Sequence, residues 1–539
     1  MSAEGLTNVF LGLYLALHST PGQTGPMPWT GLIPARPRPG LCVLHYAIST
    51  RSAACQAFFD QGLAWYYSYA WMEAARAFET ATVLDPECAM AWWGLSRALE
   101  RWGRGDHKKA LERAWHLAPR TSYREQQLIL ARMQEQGLLP DAGDAQSRRQ
   151  KAIQTIENLI GLHSDDEEAW YYRAQLAGGS SLFGGTASSA PYYLALLKIN
   201  PLHPGANHEL VHYYENVQRP ALGWVYSENY IRSSPGIPHA WHMQSHLATR
   251  LGRWDRSTAS SLKAIELQQA YHREMQVKPQ DDWQYGHHLE ILTLSLIHDG
   301  RFREARQAQA EARRAGFDHR MAWFRLHLAE RDWAQALQIA ESYRTSDKQT
   351  ASYLAALVYL AREQPAWAAA EVEVLRQEYA ERRDQSELKY RLWETQGVLL
   401  CQVGEAEAGL ELLQRLVLET RDDYRRHAWG HGAYFMEIWG IAALKSGHER
   451  VAEEAFLEAL AHDAGSVRAA LGLHILCDRL GRNQEAEQYA RLARRFWKYA
   501  EPRHLDAEWT ALRSPYREKR TARPASGGQT SAHTDHEEK

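Results

Sequence analysis

The chain has 539 residues, 45% of them hydrophobic and 24% charged, and is rich in Trp (20) and Tyr (26) compared with Phe (11). A formal net charge of −3 supplies no global basic field to hold phosphate backbones, so nucleic acid is not an expected partner. The cysteines Cys42, Cys55, Cys88, Cys401 and Cys477 are scattered without a CxxC spacing and read as reduced thiols packed in a core, not as a disulfide framework.

In chain order, the first feature is an apolar run, Val9 to Leu17, with the length of a signal-peptide core. It is preceded by Glu4 and by no Lys or Arg, so the charged flank of a signal is missing. A cytoplasmic location is expected, with a periplasmic or exported one as the alternative. No stretch approaches the roughly 20 apolar residues that span a bilayer. Residues 1–45 are rich in Pro and Gly and are predicted irregular. Residues 46–508 carry long runs of helix formers and few strand signals. The Gly/Ser-rich insertion Gly178 to Ser189 is predicted to be a loop. Residues 509–539 have almost nothing apolar to bury and are predicted disordered.

The first internal repeat runs from Cys55 to Cys88. With Cys55 as position 1, Phe58 falls at 4, Gly62 at 8, Trp65 at 11, Trp71 at 17, Ala74 at 20, Phe78 at 24, Ala81 at 27 and Pro86 at 32. Small residues at 8, 20 and 27 let two antiparallel helices approach, large ones fill the gaps, and proline ends the second helix. This pattern resembles the tetratricopeptide consensus. It returns at Trp92 and Leu95; at Trp241, Trp254, Ala264 and Leu267; at Gly300, Phe302, Ala305 and Ala312; and at Gly447, Ala452, Phe456 and Ala459, which Gly481, Ala486, Ala490 and Ala493 repeat. The predicted fold is all-α, a right-handed α-solenoid of about nine or ten helix pairs. Its N-terminal repeats span 46–310 and its C-terminal repeats 311–508.

The most informative residues are histidines. His208 and His212 are four apart, as are His242 and His246, and the second pair follows the first by one 34-residue repeat. In repeat numbering His208 and His242 occupy position 5, and His212 and His246 position 9. Glu215 falls at 12 and His239 at 2. After an insertion around 271–284, His287 falls at 2 and Glu290 at 5. At about 100° per residue, positions 2, 5, 9 and 12 point about 130° away from the core positions 4, 7, 8 and 11. A further pair, His427 and His431, lies outside this register. Imidazoles from neighbouring repeats could converge on one ion, so His208, His212, His242 and His246 are candidate ligands for zinc or another divalent transition metal. The phrase His208-Glu209-Leu210-Val211-His212 also reads H-E-x-x-H, in which a glutamate between two zinc-binding histidines acts as general base. It sits inside a repeat helix without the strand that aligns substrate in metalloproteases.

The chain resembles a group of bacterial tetratricopeptide-like proteins with histidine-rich central repeats. The resemblance spans about residues 45–310. It rests on Phe59-Asp60-Gln61-Gly62-Leu63 with Leu84 to Gly94; on His203-Pro204-Gly205-Ala206-Asn207-His208 with His212 and Glu215; and on His239, His242-Met243-Gln244-Ser245-His246 and Arg250-Leu251-Gly252. Two positions depart from the group: Ala70-Trp71 stands in place of Asn-His, and Glu209 in place of an aromatic residue. The resemblance implies the fold and a concave groove, about residues 190–310, in which His239, His287, Glu290 and Glu215 would line a ligand site. The expected role is a scaffold binding a protein or peptide partner in that groove, more a binding protein than an enzyme. The alternative is a metal-binding or metal-dependent, hydrolase-like protein.

Overall fold

The computed structural model describes residues 25–140, 142–178, 185–423 and 433–516. They form 25 α-helices and two short 3-10 turns, with no strand among the described residues. Extensive contacts join helices that are adjacent or next but one along the chain; the exception is the terminal helix Pro502–Arg513, which also reaches Tyr434–Lys445. That near-neighbour packing is what a stack of helix pairs produces. The expected all-α solenoid is the observed fold.

The spacing of small and large residues explains each helix pair. A β-carbon on Gly62 or Gly94 would come within 2.6 or 2.5 Å of the Phe78 ring, and one on Gly440 or Gly472 within 2.6 or 2.3 Å of Phe456. Both phenylalanines are buried. Each ring thus lies in a slot between two glycines, and the slot recurs near each end of the solenoid. Indoles join successive pairs: Trp92, Trp170 and Trp241 each donate Nε1–H to the carbonyl six residues earlier, on Pro86, Ser164 and Pro235, at 2.9, 2.8 and 3.0 Å.

The segment 25–52 is irregular, as expected, yet packed. The backbone amides of Trp29 and Thr30 donate to Glu79 at 2.7 and 2.8 Å, and Met27 and Leu41 are buried. At the other end, order extends past the expected boundary at 509. Leu512 is buried, Glu508 receives Arg468 at 2.8 Å and Arg331 at 3.2 Å, and the Tyr516 amide donates to Lys445 O at 3.0 Å. Ion pairs and the apolar side chains Leu505, Trp509 and Leu512 together hold that last helix. Half of the insertion expected around 271–284 is α-helix. Trp254–Met275, at 22 residues, runs on before a 3-10 turn at Pro279–Asp281. Residues 179–184 of the predicted loop, the pair His427 and His431, the run Val9 to Leu17, and 517–539 of the tail lie outside the described residues. No described helix is long and apolar enough to cross a membrane. Cys42 is half-buried, the other four cysteines are buried, and all five are unbridged.

The two halves also meet. Trp254 Nε1 donates to the Asp463 carboxylate at 3.0 and 3.1 Å, and Trp497 Nε1 to His298 O at 2.8 Å. At the other face, the turn Tyr67–Ala70 of the first repeat reaches the helices that carry the histidines, with Tyr230 Oη donating to Ser68 Oγ at 2.6 Å.

Candidate metal centre

Three first helices of consecutive repeats carry the histidines: Pro204–Asn216, Pro238–Arg250 and Trp283–His298. Pro204 and Pro238 stand in the first turn of their helices, where the fixed proline φ suits the helix and no amide is lost from the ladder. Their equivalence sets His208 and His242, and then His212 and His246, at matching points. The third helix starts from Asp282, whose carboxylate accepts from the Gln284 amide at 3.1 Å.

On this frame the imidazoles converge. His208 Nε2 and His239 Nε2 are 3.1 Å apart, and His242 Nε2 and His246 Nε2 are 2.8 Å apart. The His242 and His287 rings lie 4.7 Å apart between centroids. In each of three groups, the potential ligand atoms all lie within 4.8 Å of one another: His208, His212 and His239; His242, His246 and His287; and His212, Glu215 and His246.

Hydrogen-bond partners decide where the protons sit. His208 Nδ1 lies 2.5 Å from Tyr67 O. A carbonyl only accepts, so Nδ1 carries the hydrogen and Nε2 presents a bare lone pair to His239. His246 Nδ1 lies 3.0 Å from Glu215 Oε2, which fixes the ring with its Nε2 turned to His242. Glu215 is held on its other oxygen by Arg250 Nε and Nη2, both at 3.3 Å. A carbonyl or carboxylate fixing the far nitrogen is the arrangement that orients metal-binding histidines. His212 Nε2, His242 Nδ1 and His288 Nε2 are buried without a hydrogen-bond partner. Each such orphan costs about 1–3 kcal/mol.

Burial fixes the charge state. It holds His208, His239, His242 and His288 well below the ordinary imidazole value, and brings His212 to about 4 and His287 to about 3. These rings are neutral at pH 7, the form that binds metal. Burial pushes the Glu215 carboxyl up, but His246, His212 and Arg250 beside it outweigh that and hold it at about 2. The ionised Glu215 is thus held by Arg250 beside the cluster.

The side chains expected to line an open groove are enclosed. His208 and His242 are 0% exposed, His239 4% and Glu215 6%. The chain's own first repeat closes over that face. The Tyr69 ring lies 4.5 Å from His208 and stacks on His212 at 5.8 Å, and Gln284 Nε2 donates to Ser68 O at 2.9 Å. Tyr69 takes a left-handed backbone (φ 57), uncommon for a bulky residue. His287 is half-buried and joins the cluster. Glu290 is also half-buried, but it acts on His319 and belongs to none of the three groups. Glu209 is engaged elsewhere: its carboxylate accepts from Tyr69 Oη at 3.0 Å and Tyr171 Oη at 3.5 Å, and burial raises it to about 7. The H-E-x-x-H phrase therefore contributes its histidines to the cluster while its glutamate is committed to two phenols.

Several participants carry no sequence signal. His288 stacks on His242 with 4.0 Å between centroids, and its Nδ1 donates to Gln268 Oε1 at 2.8 Å. Gln268 in turn donates to Asp282 at 2.6 Å. Tyr67, Tyr69 and Gln284 come from elements that the repeat register does not relate to the histidine positions.

A family model described as tetratricopeptide repeat matches residues 59–115 and 439–501, both outside the histidine helices. No curated protein sequence matches the chain. Among solved structures, a human IFIT1 dimer with m7Gppp-AAAA is similar at 13% identity and a TM-score of 0.27, over 83% of this chain and 91% of that one. The helical stack and the two matched segments make the chain a tetratricopeptide-like repeat protein.

Proposed function

We propose that this repeat scaffold binds a transition metal in its central repeats, with His208, His212, His242 and His246 as ligands completed by His239 and His287. The observation that carries the reading is the pair of nitrogen–nitrogen approaches at 3.1 and 2.8 Å, in each of which one partner's far nitrogen is fixed by an acceptor. At each contact one ring nitrogen donates to the other. A cation bound at about 2.0–2.1 Å by both would set tetrahedral ligands about 3.3 Å apart, close to what the side chains already adopt. Donors that are almost all imidazole suit zinc, copper, iron or nickel, and suit magnesium or calcium poorly. A protein or peptide partner, the role the repeats raise by themselves, would meet surfaces other than these enclosed side chains.

Metal analysis of protein purified without a histidine tag tests this. Transition metal at one or more ions per chain is expected, with less of it in a folded His242→Ala/His246→Ala variant. A metal-free native protein that takes up no zinc or copper overturns it.

A further inference from the structure

We infer that the cluster is two metal sites, one at each of two successive repeat interfaces, and not a single site. This deepens the metal-binding reading above and rests on it. The argument is the repeat register. His208, His212 and His239 are positions 5 and 9 of one repeat and position 2 of the next. His242, His246 and His287 are positions 5 and 9 of that next repeat and position 2 of the one after. The two groups are therefore the same three positions advanced by one repeat, they share no residue, and in each the potential ligand atoms lie within 4.8 Å of one another.

The step that turns one helix pair into the next thus carries the first triad onto the second. It does so although the third helix is reached through the longer helix Trp254–Met275: the added turns displace the sequence register but leave His287 against His242 and His246. The set stops there, because position 9 of the following repeat is Leu294, which is buried and offers no donor. Each triad has one ring oriented from behind, His208 by Tyr67 O and His246 by Glu215. Three imidazoles on a tetrahedral ion leave a fourth position open to water or an anion. Glu215 stands at the seam. With His212 of one site and His246 of the other it forms the third close group, so its charge serves both ions.

The test is native mass spectrometry of the full-length, metal-free chain titrated with Zn²⁺. Two mass steps are expected, saturating at two ions per chain. His208→Ala/His239→Ala and His242→Ala/His287→Ala should each saturate at one ion, with folding checked by circular dichroism. Saturation of the unaltered chain at one ion overturns the two-site inference and leaves metal binding standing; no uptake overturns both. Loss of all zinc in either folded variant also overturns it, since that requires one shared site. Should a variant fail to fold, the count on the unaltered chain decides.

Discussion

In the repeats from Tyr434 to Phe496, buried charge meets opposite charge. Arg468 lies 2.8 Å from Glu508 and 3.9 Å from Glu437, Glu437 also accepts from Ser466 at 2.6 Å, and Lys445 lies 2.9 Å from Glu363. Single orphan atoms occur in this half too, such as Glu394 Oε1 and Trp439 Nε1, but they are dispersed. In the repeats from Pro204 to His298, the same helix-pair plan buries imidazoles in hydrogen bonds to one another, and three of them, His212, His242 and His288, keep a ring nitrogen without a partner. A protein interior satisfies an acceptor with a donor. Buried ring nitrogens without a donor can be satisfied by a cation. The comparison separates polar groups that complete the fold from polar groups that, in the proposed metal-binding role, a cation would complete.

The largest expected effect tests that separation by sign. Arg468→Met takes the cation from Glu437 and leaves Glu508 with Arg331, and should cost about 1.5–3 kcal/mol in urea unfolding, with or without metal. His242→Leu in metal-free protein removes an imidazole with an unpartnered nitrogen and should change stability by no more than about 1 kcal/mol. With Zn²⁺ present, the unaltered protein should gain more stability than His242→Leu, which keeps only the first triad. A His242→Leu cost as large as that of Arg468→Met without metal would place the histidines with the structural polar groups.

A smaller effect is expected at Glu215→Gln. It keeps the shape but removes the charge that orients His246, so zinc affinity should fall about 10–100-fold while the chain stays folded. Unchanged affinity in a calorimetric titration would remove Glu215 from the centre.

Acidity should move the two regions in opposite directions in metal-free protein. His212 and His287 titrate at about 4 and 3 when folded, below the ordinary 6.5. Below pH 6.5 the unfolded chain binds protons that the native one refuses, so stability falls on acidification toward pH 4, by up to about 1.4 kcal/mol per pH unit for each group. Glu394 and Asp463 are raised by burial to about 7 from 4.5 and 3.8. The native state there holds protons that the unfolded chain releases, so stability falls as pH rises through 7. Hydrogen exchange, corrected for intrinsic rates, should show the histidine helices opening more at pH 5 than at pH 7, and the helices around Glu394 and Asp463 the reverse.

The smallest change is in a turn. Gln218 adopts φ 61 where other repeats place Gly252, Gly300, Gly447 and Gly481 at positive φ. Gln218→Gly should stabilise the histidine repeats by about 1 kcal/mol, read as a rise in Tm, without altering zinc uptake.

The sequence made the repeat legible because close helix packing demands small residues at fixed steps, and Gly62 with Phe78 or Gly440 with Phe456 obey it. The histidines were legible for the same reason, since a 34-residue step preserves direction along the stack. Enclosure of the cluster was not, because its cover comes from the turn at Tyr67, 141 residues from His208. Register says which neighbours lie within a repeat pair, and nothing about how far the superhelix curls back on itself. His288 lies next to the register position that His287 occupies, and Glu290 keeps position 5 of its repeat but belongs to none of the three groups. Residues 271–275 read as insertion since they exceed the repeat length, yet they are helix and lead into the segment that places Asp282 beside Gln268 and His272.

Anomalous diffraction at a metal absorption edge tests the central claim most directly, on crystals of untagged protein grown with Zn²⁺. The account predicts difference peaks among His208, His212 and His239 and among His242, His246 and His287. A map with no peak at either triad, from crystals that show the side chains well ordered, would contradict it.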